Sequence, residues 1–253
     1  MNQSKIRIIQ ISDCHISADP HALYREQSAD ENLARIVQAA MQWKPQLIMV
    51  TGDVSEDGSR ESYERASALL ARTGAEVLTL PGNHDDVELM SRYFSAGPWN
   101  GPYIRQLESW QLLMLDSTAP GQVSGSFSPR RLDQLRHALN GENELYSLVA
   151  LHHQPIPVGG PWIDRYQLES PQQFFEVIDR ASNVRCIAWG HVHQDFSMQR
   201  KGCALLGAPS SVANSLPGTD RFSLDPAGPS CRWLELSRDG GVETGILYPG
   251  LDG

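Results

Sequence analysis

"EVLTLPGNHD", residues 76–85, decides how this chain is read. Glu76 to Leu80 have the short aliphatic and β-branched character of a strand, and they run directly into Pro81-Gly82 and then Asn83, His84 and Asp85. Glycine, asparagine and aspartate are turn formers, so on its own the stretch says only that a strand turns here. The rest of the chain repeats the pattern. "IIQISDCH" ends at Asp13 and His15, "LIMVTGD" at Asp53, "SLVALHHQP" at His152 and His153, and "CIAWGHVH" at His191 and His193. One such coincidence is ordinary. Five argue for strands whose carboxyl ends open on one crevice, where ligands bind in open α/β sheets.

The segments between them read as helices. "SADENLARIVQAAMQW" (28–43) offers Ser28 as a cap, Glu31 three residues later, and apolar residues at helical spacing. "SRESYERASALLART" (59–73), "SPRRLDQLRHALN" (128–140) and "SPQQFFEVIDRA" (170–181) follow, the first stopped by Gly74 and the other two opening Ser-Pro. "WQLLMLDS" (110–117) adds a strand. After residue 195 the character turns to hairpins, around Lys201-Gly202 and Asp239-Gly240-Gly241. No linker divides the chain. The expectation is a single α/β domain over 1–253 with a β-rich C-terminal third, about 195–248.

With 253 residues, 40% of them apolar and 20% charged, the chain has the balance of a globular protein. Its net charge of −9 argues against a general nucleic-acid or anionic-membrane binder. Cys14, Cys186, Cys203 and Cys231 form no CxxC pair, which disfavours a disulfide framework or thiolate zinc site. The N-terminus is too briefly apolar for a signal peptide, and no run approaches a membrane span. These features predict a cytoplasmic chain and leave its oligomeric state open.

The spacing within each strand end supports one shared site. In an extended chain Asp13 and His15 share a face while Cys14 packs on the other, and His191 and His193 flank a core Val192 in the same way. Gly52, Gly82 and Gly190 stand just before Asp53, Asn83 and His191, where a side chain would crowd the ligands. Asp13, His15, Asp53, Asn83, one of His152 and His153, His191 and His193 make seven oxygen and nitrogen donors. That is too many for one ion and enough for two sharing a carboxylate. Such donors suit Zn, Mn, Fe or Co. His21 and His137 sit in polar surroundings and read as solvated, and Phe174 and Phe175 as core. Trp162 and Asp164 in "GGPWID" either line a ligand pocket or pack a surface loop.

"DCH", "GDVSEDG", "GNHD", "LHHQP" and "GHVH", in that order, resemble the five motifs of the calcineurin-like metallophosphoesterase superfamily, over about residues 6–215. More narrowly, "ISDCH", "LHHQPIPVGGPWID", "GHVHQDF", "GAPSS" and the tail "RFSLDPAGPSCRWLEL" are similar to the bacterial class III 3′,5′-cyclic AMP phosphodiesterases. The resemblance implies a four-layer αββα sandwich, two mixed sheets flanked by helices, with two divalent or mixed-valence metal ions at one edge. It gives Asp13, His15 and His193 to one ion, Asn83, His153 and His191 to the other, and Asp53 to both. His153 is chosen because it stands two residues before Pro155, as the family's ligand does, and His152 is left to close the strand. His84 is implied as the catalytic histidine, with His15, Asp53, Asn83, His84 and His193 meeting the substrate. The implied reaction is attack of a metal-bound hydroxide on 3′,5′-cyclic AMP, giving 5′-AMP as His84 protonates the departing 3′-oxygen. Many members carry Asp three residues after the shared Asp, where this chain has Glu56 and then Asp57. Another phosphoesterase of the superfamily and a non-catalytic scaffold are the alternatives, the latter disfavoured because no ligand is lost.

Overall fold

Alternating strand and helix segments resolve into two β-sheets packed face to face with helices on both outer sides. The structure, a computed structural model, describes residues 5–95, 97, 99–141 and 145–250, among them every residue of the expected site. The chain runs β1 (Ile6–Ile11), β2 (Leu23–Tyr24), β3 (Gln27–Ser28), α1 (Ala29–Trp43), β4 (Leu47–Thr51), α2 (Arg60–Ala71) and β5 (Glu76–Leu80). Next come α3 (Val87–Met90), β6 (Tyr103–Leu107), β7 (Trp110–Met114), α4 (Pro129–Leu139), β8 (Tyr146–Leu151), α5 (Pro161–Asp164) and α6 (Pro171–Ile178). It closes with β9 (Val184–Trp189), β10 (Phe196–Arg200), β11 (Cys203–Gly207), β12 (Cys231–Leu236) and β13 (Val242–Leu247).

The first sheet has the order β13-β12-β1-β4-β5 and the second β10-β11-β9-β8-β7-β6. Both are mixed. β1, β4 and β5 are parallel, as are β7, β8, β9 and β11, and antiparallel pairs close both edges of the second sheet and the β12–β13 side of the first. Strand alternation splits each sheet between two cores. Ile8, Met49 and Leu80 of the first sheet meet Leu112, Leu148, Ala150 and Ala188 of the second in a layer between the sheets. Ile9, Ile48 and Val50 face α1 and α2 instead, and Val149, Leu151 and Ile187 face α4 and α6. The result is the expected αββα sandwich.

Local signals behave as predicted in most places. Ser28 caps α1 by accepting from Glu31 N, Ser128 caps α4 from Arg131 N, and Gly74 takes φ 69° just after α2. Ser170 differs, since its side chain makes no capping bond. The final hairpin is not an appendage: β12 pairs antiparallel with β1, so the last strands complete the sheet begun by the first. β6 and the short hairpin β2–β3 carry no clear period and were not foreseen. Among the described residues no helix is long and apolar enough to cross a membrane.

Candidate metal centre

Three strand ends of the first sheet, β1, β4 and β5, and two of the second, β8 and β9, meet at one edge of the sandwich. Their turns are tied to one another. Asp13 N donates to Gly52 O and His15 N to Asp53 O, each at 3.0 Å, and Gly190 N donates to His152 O at 3.1 Å. Two glycines permit the approach. A Cβ at Gly82 would lie 2.1 Å from Asp53 Oδ1, and one at Gly52 would lie 2.3 Å from His152 Nδ1.

The expected donors converge, though not by simple alternation. Asp13, His15, Asp53, His191 and His193 all have positive φ, from 46° to 66°, so the chain leaves the extended form where they stand. Cys14 and Val192 nevertheless turn into the cores as predicted. Burial pushes the Cys14 thiol up to about 12, as befits a packing residue.

Hydrogen bonding fixes which nitrogens carry protons. His193 Nδ1 donates to Ala213 O at 2.8 Å and His15 Nδ1 to the Glu56 carboxylate at 2.7 Å. Their Nε2 lone pairs therefore face each other at 3.2 Å, with Asp13 Oδ1 3.3 Å from His193 Nε2. A second knot lies beside the first. His152 Nδ1 donates to Thr51 O at 2.7 Å, which aims its Nε2 at Asn83 Oδ1 (3.2 Å) and Asp53 Oδ2 (3.4 Å). Asp53 Oδ2 is also 3.9 Å from His15 Nε2, placing this carboxylate between the knots. Among the described residues His191 Nε2 is buried with no hydrogen-bond partner. Imidazole nitrogens and carboxylates gathered this closely need a shared cation or proton among them, so the donor set fits metal ions.

Electrostatics agree. Burial works to raise both buried carboxyls, yet His193 holds Asp13 at about 2, and His152 with His15 holds Asp53 well below the usual carboxylate range. Burial pushes His191 down to about 3. For His152 burial is outweighed by Asp53 and Asp13, and its pKa rises to about 9: a proton there takes the place a cation would fill.

At the end of β8 the geometry differs from the expectation for His153, although His152, His153 and His191 bring their ligand atoms within 4.8 Å of one another. His152, not His153, faces Asp53 and Asn83. β8 alternates, with Leu148 and Ala150 in the layer between the sheets and Val149 and Leu151 on the helix side, and His152 continues the inner face. His153 Nε2 donates to Val123 O at 3.0 Å and its Nδ1 lies 2.9 Å from Ser117 Oγ, so both ring nitrogens are engaged. Its ring still packs beside His191, with centroids 4.8 Å apart.

The outer part of the site is a cleft of about 250 Å³ bordered by His84, Tyr24, Arg25, Val123, Trp162 and Tyr166. His84 Nδ1 donates to Glu56 O at 3.1 Å and lies 3.3 Å from the Glu56 carboxylate. Burial lowers its pKa, but Asp53 and Glu56 outweigh that and raise it. Glu56 thus serves His15 and His84 together. Asp57 instead accepts from Ala18 N and Ser59 N, and Asp85 holds the turn by accepting from Ser55 N and Gly82 N. Asp164 is likewise structural, bonding Val158 N and Gly159 N. His21 and His137 are exposed, and Phe174 is core with the half-buried Phe175 against it.

Comparison with known proteins follows the same lines. The sequence profile of the calcineurin-like phosphoesterases matches residues 6–195. The chain is similar to the 3′,5′-cyclic adenosine monophosphate phosphodiesterase CpdA of Pseudomonas aeruginosa, 37% identical over 96% of this chain and 90% of that protein. In fold it is similar to a dimetal phosphatase from Danio rerio (TM-score 0.72, 14% identity, covering 97% of this chain and 99% of that one). It is equally similar to the anchor protein of the Plasmodium inner membrane complex (TM-score 0.72, 10% identity, covering 99% and 87%).

Proposed function

Because the chain belongs to the calcineurin-like phosphoesterase family, we propose that it is a two-metal phosphodiesterase that hydrolyses 3′,5′-cyclic AMP to 5′-AMP. The observation that carries this reading is the convergence of His15, His193 and His152 Nε2, Asn83 Oδ1 and the Asp13 and Asp53 carboxylates under an open cleft. The cyclic nucleotide as substrate is supported by the relative named above, which spans nearly this whole chain.

In this reading Asp13, His15 and His193 would hold one ion, Asn83, His152 and His191 the other, with Asp53 shared, and such ions, from among Mn, Fe, Co and Zn, would supply Lewis-acid charge and an activated water. The chain's own groups do the rest. Glu56 fixes the tautomer of His15, Ala213 O that of His193, and Thr51 O that of His152, so each presents a lone pair inward. Asn83 and His84 border the cleft where the phosphate sits. His84, with its pKa raised beside Glu56, holds a proton for the departing 3′-oxygen. The four buried thiols are compatible with a reducing cytoplasm as the site of action.

A substrate panel on metal-reconstituted protein tests the reading. Cyclic AMP should be turned over to 5′-AMP faster than glycerophosphodiesters, nucleotide monoesters or phosphopeptides. Preference for any of those, or 3′-AMP as sole product, would overturn it.

A further inference from the structure

Beyond the ligand tips the cleft has a wall that the metal chemistry does not use. Tyr24 lies flat on His15, ring centroids 3.9 Å apart and planes 4° from parallel. Arg25, in the turn between β2 and β3, holds its guanidinium 3.9 Å from the centre of the Phe222 ring and 5.5 Å from that of Tyr24. Trp162 meets Phe222 edge-on, centroids 5.6 Å apart, and Phe222 lies behind Arg25, against the His193 ring at 6.1 Å. The hairpin and the Phe222 segment are far apart in sequence, so the fold brings this wall together.

Arg25 has little structural reason to be there. It is exposed, and among the described residues its one side-chain hydrogen bond is a 3.5 Å contact from Nε to the Tyr24 hydroxyl. No carboxylate pairs with it among those residues. A guanidinium has five N–H donors in one plane, and here the plane is set by an aromatic ring while the outer donors stay free. Tyr24 contacts both, stacked on His15 and 5.5 Å from the Arg25 guanidinium, so Arg25 stands on the cleft wall outside the ligand tips, on the side open to the nucleoside part of a cyclic nucleotide.

We propose that Arg25 and Phe222 form the nucleobase-binding element of the cleft, the purine stacking on the open side of the guanidinium that is held over the Phe222 ring. The inference rests on the cyclic nucleotide reading above and gives it a selectivity device. Stacking of a base on such a platform contributes on the order of 1–3 kcal/mol, which corresponds to roughly a ten- to hundredfold change in binding.

The test compares cyclic AMP with the same cyclic ribose phosphate lacking its base, in the wild type and in Arg25→Ala, Phe222→Ala and Arg25→Lys. Both alanine variants should raise KM for cyclic AMP roughly ten- to hundredfold, leave kcat and bound metal near wild type, and leave the base-less substrate unaffected. Arg25→Lys should rescue little, because an ammonium keeps the charge and loses the plane. Equal losses for both substrates would mean that Arg25 holds the phosphate or the fold, and would overturn the proposal. So would an unchanged KM, or full rescue by lysine. If the wild type turns over neither cyclic substrate yet cleaves an aryl phosphodiester, the cyclic nucleotide reading itself fails and takes this inference with it.

Discussion

On the floor of the cleft Asp13, Asp53, His152 and His191 are all buried, and their turns are tied together by Asp13 N to Gly52 O, His15 N to Asp53 O, Gly190 N to His152 O and His191 N to the Asp13 carboxylate. On its rim Tyr24, Arg25 and His84 are half-buried or exposed and hang from a two-strand hairpin and a turn. The floor also concentrates strain. Asp13, His15, Asp53, His191 and His193 occupy left-handed backbone, a conformation that costs a non-glycine residue on the order of 1 kcal/mol or more and that clusters at functional sites. The rim needs only a short hairpin turn, with Arg25 and Glu26 at φ 48° and 67°. A rigid floor fixes charges and tautomers; a lighter rim meets what varies among substrates. Damage to the floor should therefore be all-or-none, and damage to the rim graded.

The largest effect is expected at Asp53, whose carboxylate stands between the two knots of donors. Asp53→Asn should lose both ions and essentially all turnover. Elemental analysis of the purified variant checks this, and two tightly held ions would break the distinction at its centre.

The neighbouring histidines of β8 sharpen it next. His152→Ala should lose one of two ions and nearly all activity. His153→Ala should keep both ions and cost stability instead, roughly 1–3 kcal/mol, as Ser117 and Val123 lose their buried partner. Metal content and thermal unfolding, read side by side, separate the two. The reverse pattern would place the ligand at His153.

His84 belongs to the rim by exposure and to the chemistry by role. His84→Ala should retain its metals and lose about 10²–10⁴ in kcat for cyclic AMP, the scale of general acid catalysis. The loss should shrink for a nitrophenyl diester, whose leaving group needs no proton. An equal loss for both substrates would assign His84 to phosphate binding alone.

Smallest is Glu56→Gln. The amide can still hydrogen-bond His15 and His84 but no longer carries charge, and about a tenfold fall in activity is expected, with the fold unaltered. A null result in both activity and metal affinity would leave Glu56 a surface carboxylate.

The same contrast governs what could be read from the residues. Strand periods, helix caps and the order of ligand-bearing strand ends are local, so the elements and the converging donors were legible, while the αββα layers came only from the family resemblance. The choice between His152 and His153 was not. It turns on which face of β8 looks inward, and Leu148-Val149-Ala150-Leu151 is apolar on both faces because each covers a core. The alternation puts His152 on the inner face only once that face is known. Tyr24, Arg25 and Phe222 gave no signal at all, since a two-residue strand has no period and residues 25 and 222 meet only through the fold. The double service of Glu56 was hidden for a similar reason: its reach to His15 depends on the bridge between Ile16 and Ser55.

Anomalous diffraction from crystals of the metal-loaded chain tests the central claim most directly. Two peaks are predicted on either side of the Asp53 carboxylate, one against Asp13, His15 and His193, the other against Asn83, His152 Nε2 and His191. A single peak, or a second ion bound through His153 with His152 left outside, would contradict the account.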